Sequence, residues 1–293
     1  MEFSAQERMF ASGEEFLYLE CSSCGSIQIK DVPDNLSSYY SGSQYYSFVP
    51  LVRSGSLASL LKKIRLTLFL KLKLSKFAPE VYGYWLQKVC TKLDASIADV
   101  GCGNGQLLYE MHAGGFKKLV GFDPFLPAGV SIADGIELKS TDLASSQEKF
   151  DLIMYHHAFE HLVDPEQELI TCYDKLNPKG RLLLRLPVAD AQVWKDKREL
   201  WVQLDAPRHL GIPSVSGLKH LAGKCGFEVE EVEFDSTEFQ FWGTELYEAG
   251  LPLDLRHRER FSDLQILEFK QKALRYNQEG KGDQICMYLQ RKD

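Results

Sequence analysis

The chain has 293 residues, and 34 Lys and Arg against 41 Asp and Glu give a net charge of 34 − 41 = −7. With 44% hydrophobic and 26% charged residues this is a globular composition, and its acidic balance argues against a protein whose main work is gripping nucleic acid, since phosphate neutralisation needs a basic surface. No run of about 18 uncharged apolar residues is present to span a bilayer, and seven cysteines scattered at 21, 24, 90, 102, 172, 225 and 286 make no disulfide framework.

Residues 1–50 are rich in Ser and Tyr, with a Cys-x-x-Cys at Cys21 and Cys24 and a tyrosine run from Tyr39 to Tyr46. The opening Met1-Glu2-Phe3-Ser4 lacks the basic-then-apolar pattern of a signal peptide, and with the scattered cysteines it predicts a cytoplasmic location. Residues 51–78 form a basic helical linker with Arg53, Lys62, Lys63, Arg65, Lys71, Lys73, Lys76 and no acid. Leu57, Leu60, Leu61, Ile64 and Leu68 recur there at helical spacing, with Lys62, Lys63 and Arg65 off that face. Such a helix either covers the core of the next domain or lies on an anionic membrane as a peripheral contact.

From 79 to 293, helix-like and strand-like segments alternate. Pro79 opens a helix running to Leu93, with Val81, Trp85, Val89 and Leu93 on one face. Apolar runs at Ile97–Val100, Leu119–Phe122, Phe150–Tyr155 and Arg181–Leu186 read as buried strands. Helices are predicted at Gln106–His112, Pro165–Leu176, Ser214–Cys225 and Ser262–Tyr276. Phe227–Phe234 alternates apolar with acidic residues like a less buried strand, and Gln284–Arg291 closes the sheet. Repeated strand–helix–strand units predict an α/β fold with a doubly wound, mostly parallel sheet. Residues 235–283 are too long for a simple loop and read as an insertion or cap.

The sharpest signal is Asp99-Val100-Gly101-Cys102-Gly103-Asn104-Gly105, a strand ending in a glycine turn before Gln106 starts a helix. Missing side chains at Gly101, Gly103 and Gly105 let the backbone approach a ligand and adopt positive φ. A dinucleotide fold wants its third glycine one position later, where Gln106 stands. Asp99 ahead of the turn also suits a cationic ligand better than a pyrophosphate. Asp123, 22 residues after Gly101 at the end of the next strand, can accept from both hydroxyls of a ribose. Asp142 falls where the third strand should end and can take an adenine amino hydrogen.

These residues resemble the class I S-adenosylmethionine-dependent methyltransferases, over roughly residues 80–235. The match includes Phe150-Asp151-Leu152-Ile153, Phe159-Glu160-His161-Leu162 and Leu176-Asn177-Pro178-Lys179-Gly180. The resemblance implies a seven-stranded Rossmann-like sheet with an N-terminal extension and a late insertion. It also implies S-adenosylmethionine as cofactor, held by Asp99, Gly101, Cys102, Gly103, Gly105, Asp123, Pro124, Asp142 and Tyr155. Tyr18-Leu19-Glu20-Cys21-Ser22-Ser23-Cys24-Gly25 and Trp201-Val202-Gln203-Leu204-Asp205-Ala206-Pro207-Arg208-His209-Leu210 are similar to bacterial methyltransferases that modify glycans. That likeness implies O-methylation of a small-molecule or lipid-linked sugar in surface-glycan biosynthesis, with Trp201, Asp205 and Arg208 at the substrate. In that group a small zinc-binding head precedes the catalytic domain. A structural zinc needs four ligands, and no Cys or His precedes Cys21. Residues 1–50 therefore read as a metal-free vestige or as half of a site shared between subunits, which leaves a homodimer open.

A sugar hydroxyl needs its proton removed as it becomes the nucleophile. The preferred base is His209, beside an Arg208 able to grip a phosphate of a nucleotide sugar or lipid pyrophosphate bidentately; the alternative pairs Arg208 structurally with Asp205. Further candidates follow the fourth strand: His156, His157, Glu160 and His161. On a helix His157, Glu160 and His161 share one face, resembling quinone-biosynthesis O-methyltransferases that hold magnesium. His157 stands where that group has an acid, which weakens magnesium, and no metal is assigned. Three competing readings stay open: a magnesium-dependent methyltransferase of quinone-like molecules, an inactive scaffold, and a dehydrogenase.

Overall fold

The computed structural model describes residues 1–40, 51–53, 55–79, 82–89, 92–126 and 132–293. The tyrosines at 45 and 46, Val81 and Cys90 lie outside the described residues. A seven-stranded sheet forms the centre, built from β4 (Ser96–Val100), β5 (Lys118–Phe122), β6 (Ile136–Lys139), β7 (Phe150–His156), β8 (Leu176–Pro187), β10 (Phe227–Phe234) and β11 (Gln284–Arg291). Its spatial order is β6-β5-β4-β7-β8-β11-β10. The first five of these strands are parallel, and β11 runs antiparallel to both β8 and β10. The order reverses at β4, which opens a crevice at the carboxyl end of that strand, where doubly wound sheets take their ligands.

Parallel strands are buried on both faces, which is why they read as continuous apolar runs. One face is covered by α1 (Ser56–Leu72), α2 (Gly83–Val89) and α3 (Gln106–Gly114), through Leu66, Trp85, Leu86, Leu108 and Met111. The other carries α4 (Pro165–Lys175) and α6 (Val215–Lys224), through Leu169, Cys172, Leu218 and Ala222. Each such large apolar side chain taken from water contributes about 1.5–3 kcal/mol. Local signals fix the helix starts. Asp164 caps α4 by accepting from Gln167 N at 2.9 Å with Pro165 at the first position, and Ser214 caps α6 through Gly217 N at 3.0 Å.

Two regions differ from the sequence expectation. The helix expected from Pro79 is shorter, α2 alone, with Trp85 and Val89 on its buried face. In α1 the buried stripe is Leu66, Phe69 and Leu70, not the Leu57–Ile64 stripe; Leu57, Leu60, Leu61 and Ile64 are 72%, 54%, 59% and 48% exposed. Neither cover alone nor membrane contact alone describes this helix, because its two stripes face different surroundings.

The N-terminal segment forms strands β1 (Glu2–Gln6), β2 (Glu15–Glu20) and β3 (Ile27–Ile29), and β3 pairs with β9 (Gly211–Ile212). A third core joins Tyr18, Ile27 and Ile29 to Trp194, Trp201 and Ile212. Phe241 of α7 (Phe239–Glu248) and Ala273 of α8 (Asp263–Gln278) complete it. Three stretches distant in sequence thus share one hydrophobic centre: the head, the segment after β8 and the insertion at 235–283. Cys21 is exposed and Cys24 half-buried, its thiol donating to Ser26 Oγ at 3.1 Å.

Candidate active site

The glycine turn caps β4 as the sequence requires. Gly101 and Gly105 sit at φ 74° and 78°, in the left-handed region. A Cβ on Gly101 would overlap the Ala158 methyl, and one on Gly105 would come within 2.8 Å of Ile132 Cδ1. Both positions therefore need glycine on two counts. The turn is tied to β5: Gly101 N donates to Phe122 O at 2.8 Å, and Gly103 N donates to Asp123 Oδ2 at 2.9 Å. Asp123 Oδ1 accepts from Phe125 N, also at 2.9 Å. Each carboxylate oxygen has a second lone pair to offer a ribose hydroxyl. Asp99 is buried beside this turn, and burial, then the charge of Asp123, pushes its pKa up to about 8. Among the described residues no Lys or Arg pairs with Asp99 or Asp123. Two acids converging on a backbone cradle with no cation of their own fit a ligand that is cationic at one end and carries a ribose, and S-adenosylmethionine is such a ligand.

The remaining expected cofactor residues are placed unevenly. Cys102 packs its side chain under the turn against Gly121, and burial pushes its thiol pKa strongly upward, so only its backbone is available to the cradle. Pro124 is exposed next to Asp123. Asp142 lies three residues beyond β6, exposed, accepting from Ser145 N at 3.0 Å within its own turn, and its Ser145 hydrogen bonds hold its pKa down. Tyr155 is a correction: it is fully buried in the core on the α4 side, its hydroxyl donating to Glu168, so it lies under the sheet and not in the crevice.

The opposite wall comes from the end of β7. His157 takes φ 52°, a strained value for a non-glycine residue, and its N–H donates to Arg185 O at 2.8 Å. This turn leaves its side chain 33% exposed, with Nδ1 3.6 Å from Glu160 Oε1. His156 is packed against the Trp85 ring at 5.0 Å, and burial, then Arg185, pushes its pKa down to about 3, so it is a neutral packing residue. Glu160 has no exposed surface, and neither carboxylate oxygen accepts a hydrogen bond. Burial works against its charge, and His157, His161 and His209 outweigh it, so the carboxyl is held well below the usual range.

The Trp201–Leu210 segment is placed differently from the expectation. Arg208 has no exposed side chain; its Nε donates to Asp205 at 3.1 and 3.0 Å and its Nη2 to Glu7 Oε1 at 2.9 Å. Trp201 is fully buried and donates through Nε1 to Asp283 Oδ2 at 3.2 Å. Trp201, Asp205 and Arg208 therefore anchor the loop, and in this structure the guanidinium presents nothing to a phosphate. His209 is 4% exposed, its Nδ1 2.7 Å from Gln203 O, and burial, then His161, pushes its pKa down to about 4. An acceptor hydroxyl has no path to its free nitrogen, which removes the geometric basis for His209 as the base. The residues that sequence reasoning missed are those that lock this loop: Glu7, Tyr18, whose hydroxyl donates to His209 O at 3.0 Å, and Tyr40, whose hydroxyl donates to Arg208 O at 3.2 Å. Asp283, whose Asn277–Asp283 stretch is similar in sequence to the same glycan-modifying group, has its pKa pushed up to about 6 by burial. No spacing signal links these residues to positions 200 apart.

The family model for a methyltransferase domain matches residues 56–232. The chain belongs to the methyltransferase-domain family. S-adenosylmethionine is the cofactor of this domain. Among curated relatives, a tRNA U34 carboxymethyltransferase of Helicobacter pylori is 32% identical over 152 residues, covering 47% of this chain and 58% of the relative. One from Sulfurimonas denitrificans is 29% identical over 170 residues, covering 53% and 57%. The chain thus spans little more than half the length of these relatives. A solved S-adenosylmethionine-dependent methyltransferase from Mesorhizobium loti aligns over 68% of this chain and 91% of its own at 17% identity, with a TM-score of 0.44.

Removing the Asp123 carboxylate tests the cradle. Asp123→Ala should weaken S-adenosylmethionine binding roughly tenfold or more, since a hydrogen bond to a charged group contributes about 1.5–3 kcal/mol. Isothermal titration calorimetry on both proteins checks it, and equal affinities would remove Asp123 from the site.

Proposed function

We propose that this methyltransferase domain methylates a hydroxyl oxygen, on a sugar carried by a membrane-bound or nucleotide-linked glycan precursor. The observation that carries the reading is the His157–Glu160 pair at the rim of the crevice. When bound, S-adenosylmethionine supplies an electrophilic methyl group on a sulfonium. The chain supplies position: in-line displacement needs the acceptor oxygen held against that methyl within a fixed geometry. It also supplies a proton acceptor, because a hydroxyl becomes a competent nucleophile only as its proton leaves. His157 is exposed enough to meet an acceptor, and the buried Glu160 carboxylate behind it stabilises the imidazolium that forms. Asp283, Tyr84 and Asp235 add hydrogen-bonding groups near the same strand ends, with Tyr84 donating to Asp235 Oδ2 at 2.9 Å.

The outward stripe of α1 supports a membrane-borne acceptor. Leu57, Leu60, Leu61 and Ile64 are exposed, and so are Lys63, Lys71, Lys73 and Lys76 in a segment without acids. On a protein of net charge −7 this segregation favours an anionic lipid surface, where each cation contributes about 1 kcal/mol. The same absence of acids disfavours self-pairing, since a two-fold contact would set cation against cation. No described helix is long and apolar enough to cross a membrane. The protein should float with vesicles containing phosphatidylglycerol and stay down with phosphatidylcholine alone, and Leu57→Ser with Leu61→Ser should abolish flotation. Sedimentation in all cases would end the membrane part of this reading.

A second reading has one observation in its favour: the relatives are tRNA-modifying enzymes, and the same basic stretch could meet a phosphate backbone. The exposed leucines argue for lipid over RNA, because a phosphate backbone offers them no apolar partner. The deciding experiment is transfer of a labelled methyl group to nucleotide sugars, to lipid-linked oligosaccharides and to unmodified tRNA in parallel. Label in a sugar fraction supports the proposal; label in tRNA alone overturns it.

A further inference from the structure

The structure assigns a divalent transition-metal site to Glu160, His161 and His209, distinct from the cofactor cradle and from the His157, Glu160 and His161 set weighed for magnesium in the alternative reading of the sequence. One ligand atom of each of the three residues lies within 4.8 Å of the others. They come from two separate elements, the turn after β7 and the loop before β9. Both imidazoles are oriented as metal-binding histidines are: His161 Nδ1 is 2.8 Å from Arg208 O and His209 Nδ1 is 2.7 Å from Gln203 O. A ring nitrogen donating to a backbone carbonyl fixes the tautomer and leaves Nε2 with its lone pair free for an ion. His209 Nε2 lies 3.9 Å from Glu160 Oε1 and 3.9 Å from Asp205 Oδ2.

Glu160 is the second, independent sign. A carboxylate with no exposed surface and two oxygens that accept no hydrogen bond carries an uncompensated cost in a dry interior. The neighbouring charges deepen it. Glu7, Asp205 and Glu160 bring three carboxylates close to the guanidinium of Arg208, and Arg8 lines the same pocket as Asp205. A dication offers Glu160 a closer partner than His157 does at 3.6 Å. Two imidazoles and one carboxylate are borderline ligands that suit zinc, iron or cobalt better than magnesium. Tyr40, whose hydroxyl stands 3.0 Å from His161 Nδ1, backs that imidazole on the edge away from Nε2.

The probe is cobalt(II), titrated into the chelator-treated full chain. Wild type should bind one equivalent, with visible ligand-field bands and a raised melting temperature, and added zinc should displace it. Glu160→Gln and His209→Ala should each weaken binding at least about tenfold. The control is Cys21→Ser with Cys24→Ser, which should bind as wild type does. Failure of folded wild type to bind cobalt or zinc overturns the proposal, whether or not the variants fold. So does binding lost in the double cysteine variant and kept in Glu160→Gln, which would place the ion on the head.

Discussion

Arg208→Ala should lower the melting temperature by roughly 10 °C. The guanidinium is fully buried, held by two contacts from Nε and one from Nη2 to Asp205 and by one from Nη2 to Glu7 Oε1, and it lies 5.1 Å from the Phe10 ring centroid. Its removal leaves the Glu7 carboxylate, 1% exposed, and the Asp205 carboxylate with no cation to face. Breaking a buried pair this way costs about 3–5 kcal/mol, because the charge left behind stays desolvated. At roughly 2–4 °C per kcal/mol for a chain of this size, the shift is large and easily read by differential scanning calorimetry. Glu7→Gln should cost less, since Asp205 alone still satisfies Nε. A drop below about 2 °C for Arg208→Ala would mean that the loop is held by packing of Trp201 and Ala206, and that the ion pairs add nothing net. The effect belongs to the fold, so the cofactor affinity of the surviving folded protein should stay near that of wild type.

The same cluster shows where sequence reading reaches its limit. The parallel part of the sheet is legible because its strands are apolar and bounded by turn residues: the Ile97–Val100, Leu119–Phe122 and Phe150–Tyr155 runs each lie within an observed strand. The glycine turn was legible because only glycine fits at Gly101 and Gly105, so residue type alone carries the geometry. The head was illegible as structure because β9 is two residues long and Glu7, Tyr18 and Tyr40 reach their partners across about 170 to 200 residues, a distance at which no periodicity speaks. Charge in the Trp201–Leu210 segment misled for a related reason. An Arg next to an Asp reads equally as a ligand grip or as an internal anchor, and burial, which decides between them, is not written in local sequence. The amphipathic stripe of α1 is legible at helical spacing, but which surroundings it meets is not, because Leu66, Phe69 and Leu70 form a second stripe on the same helix that takes the core side.

His157→Asn should reduce turnover about a hundredfold while leaving S-adenosylmethionine affinity within about twofold of wild type. Proton removal by a positioned side chain contributes typically 10²–10⁴-fold, so the lower end is the cautious expectation. Asparagine keeps a hydrogen-bonding group at the crevice rim and tolerates the positive φ that His157 adopts at 52°, so it removes the base without breaking the turn. The chosen substitution therefore separates chemistry from architecture, which alanine would not. His209→Asn makes the comparison sharp. His209 is 4% exposed with its ring committed to Gln203 O, so its loss should act on stability and metal content. The two variants are distinguished by which quantity moves: kcat at unchanged melting temperature for His157, melting temperature at nearly unchanged kcat per folded molecule for His209. Single-turnover assays with saturating donor, run on whichever acceptor takes the label, measure the first quantity free of product release. If His157→Asn turns over like wild type, the rim imidazole holds the acceptor in place without taking its proton, and the acceptor is then a nucleophile already deprotonated in water. That outcome would remove the sugar hydroxyl from the proposal, because an alcohol without a base is a poor nucleophile toward a sulfonium methyl.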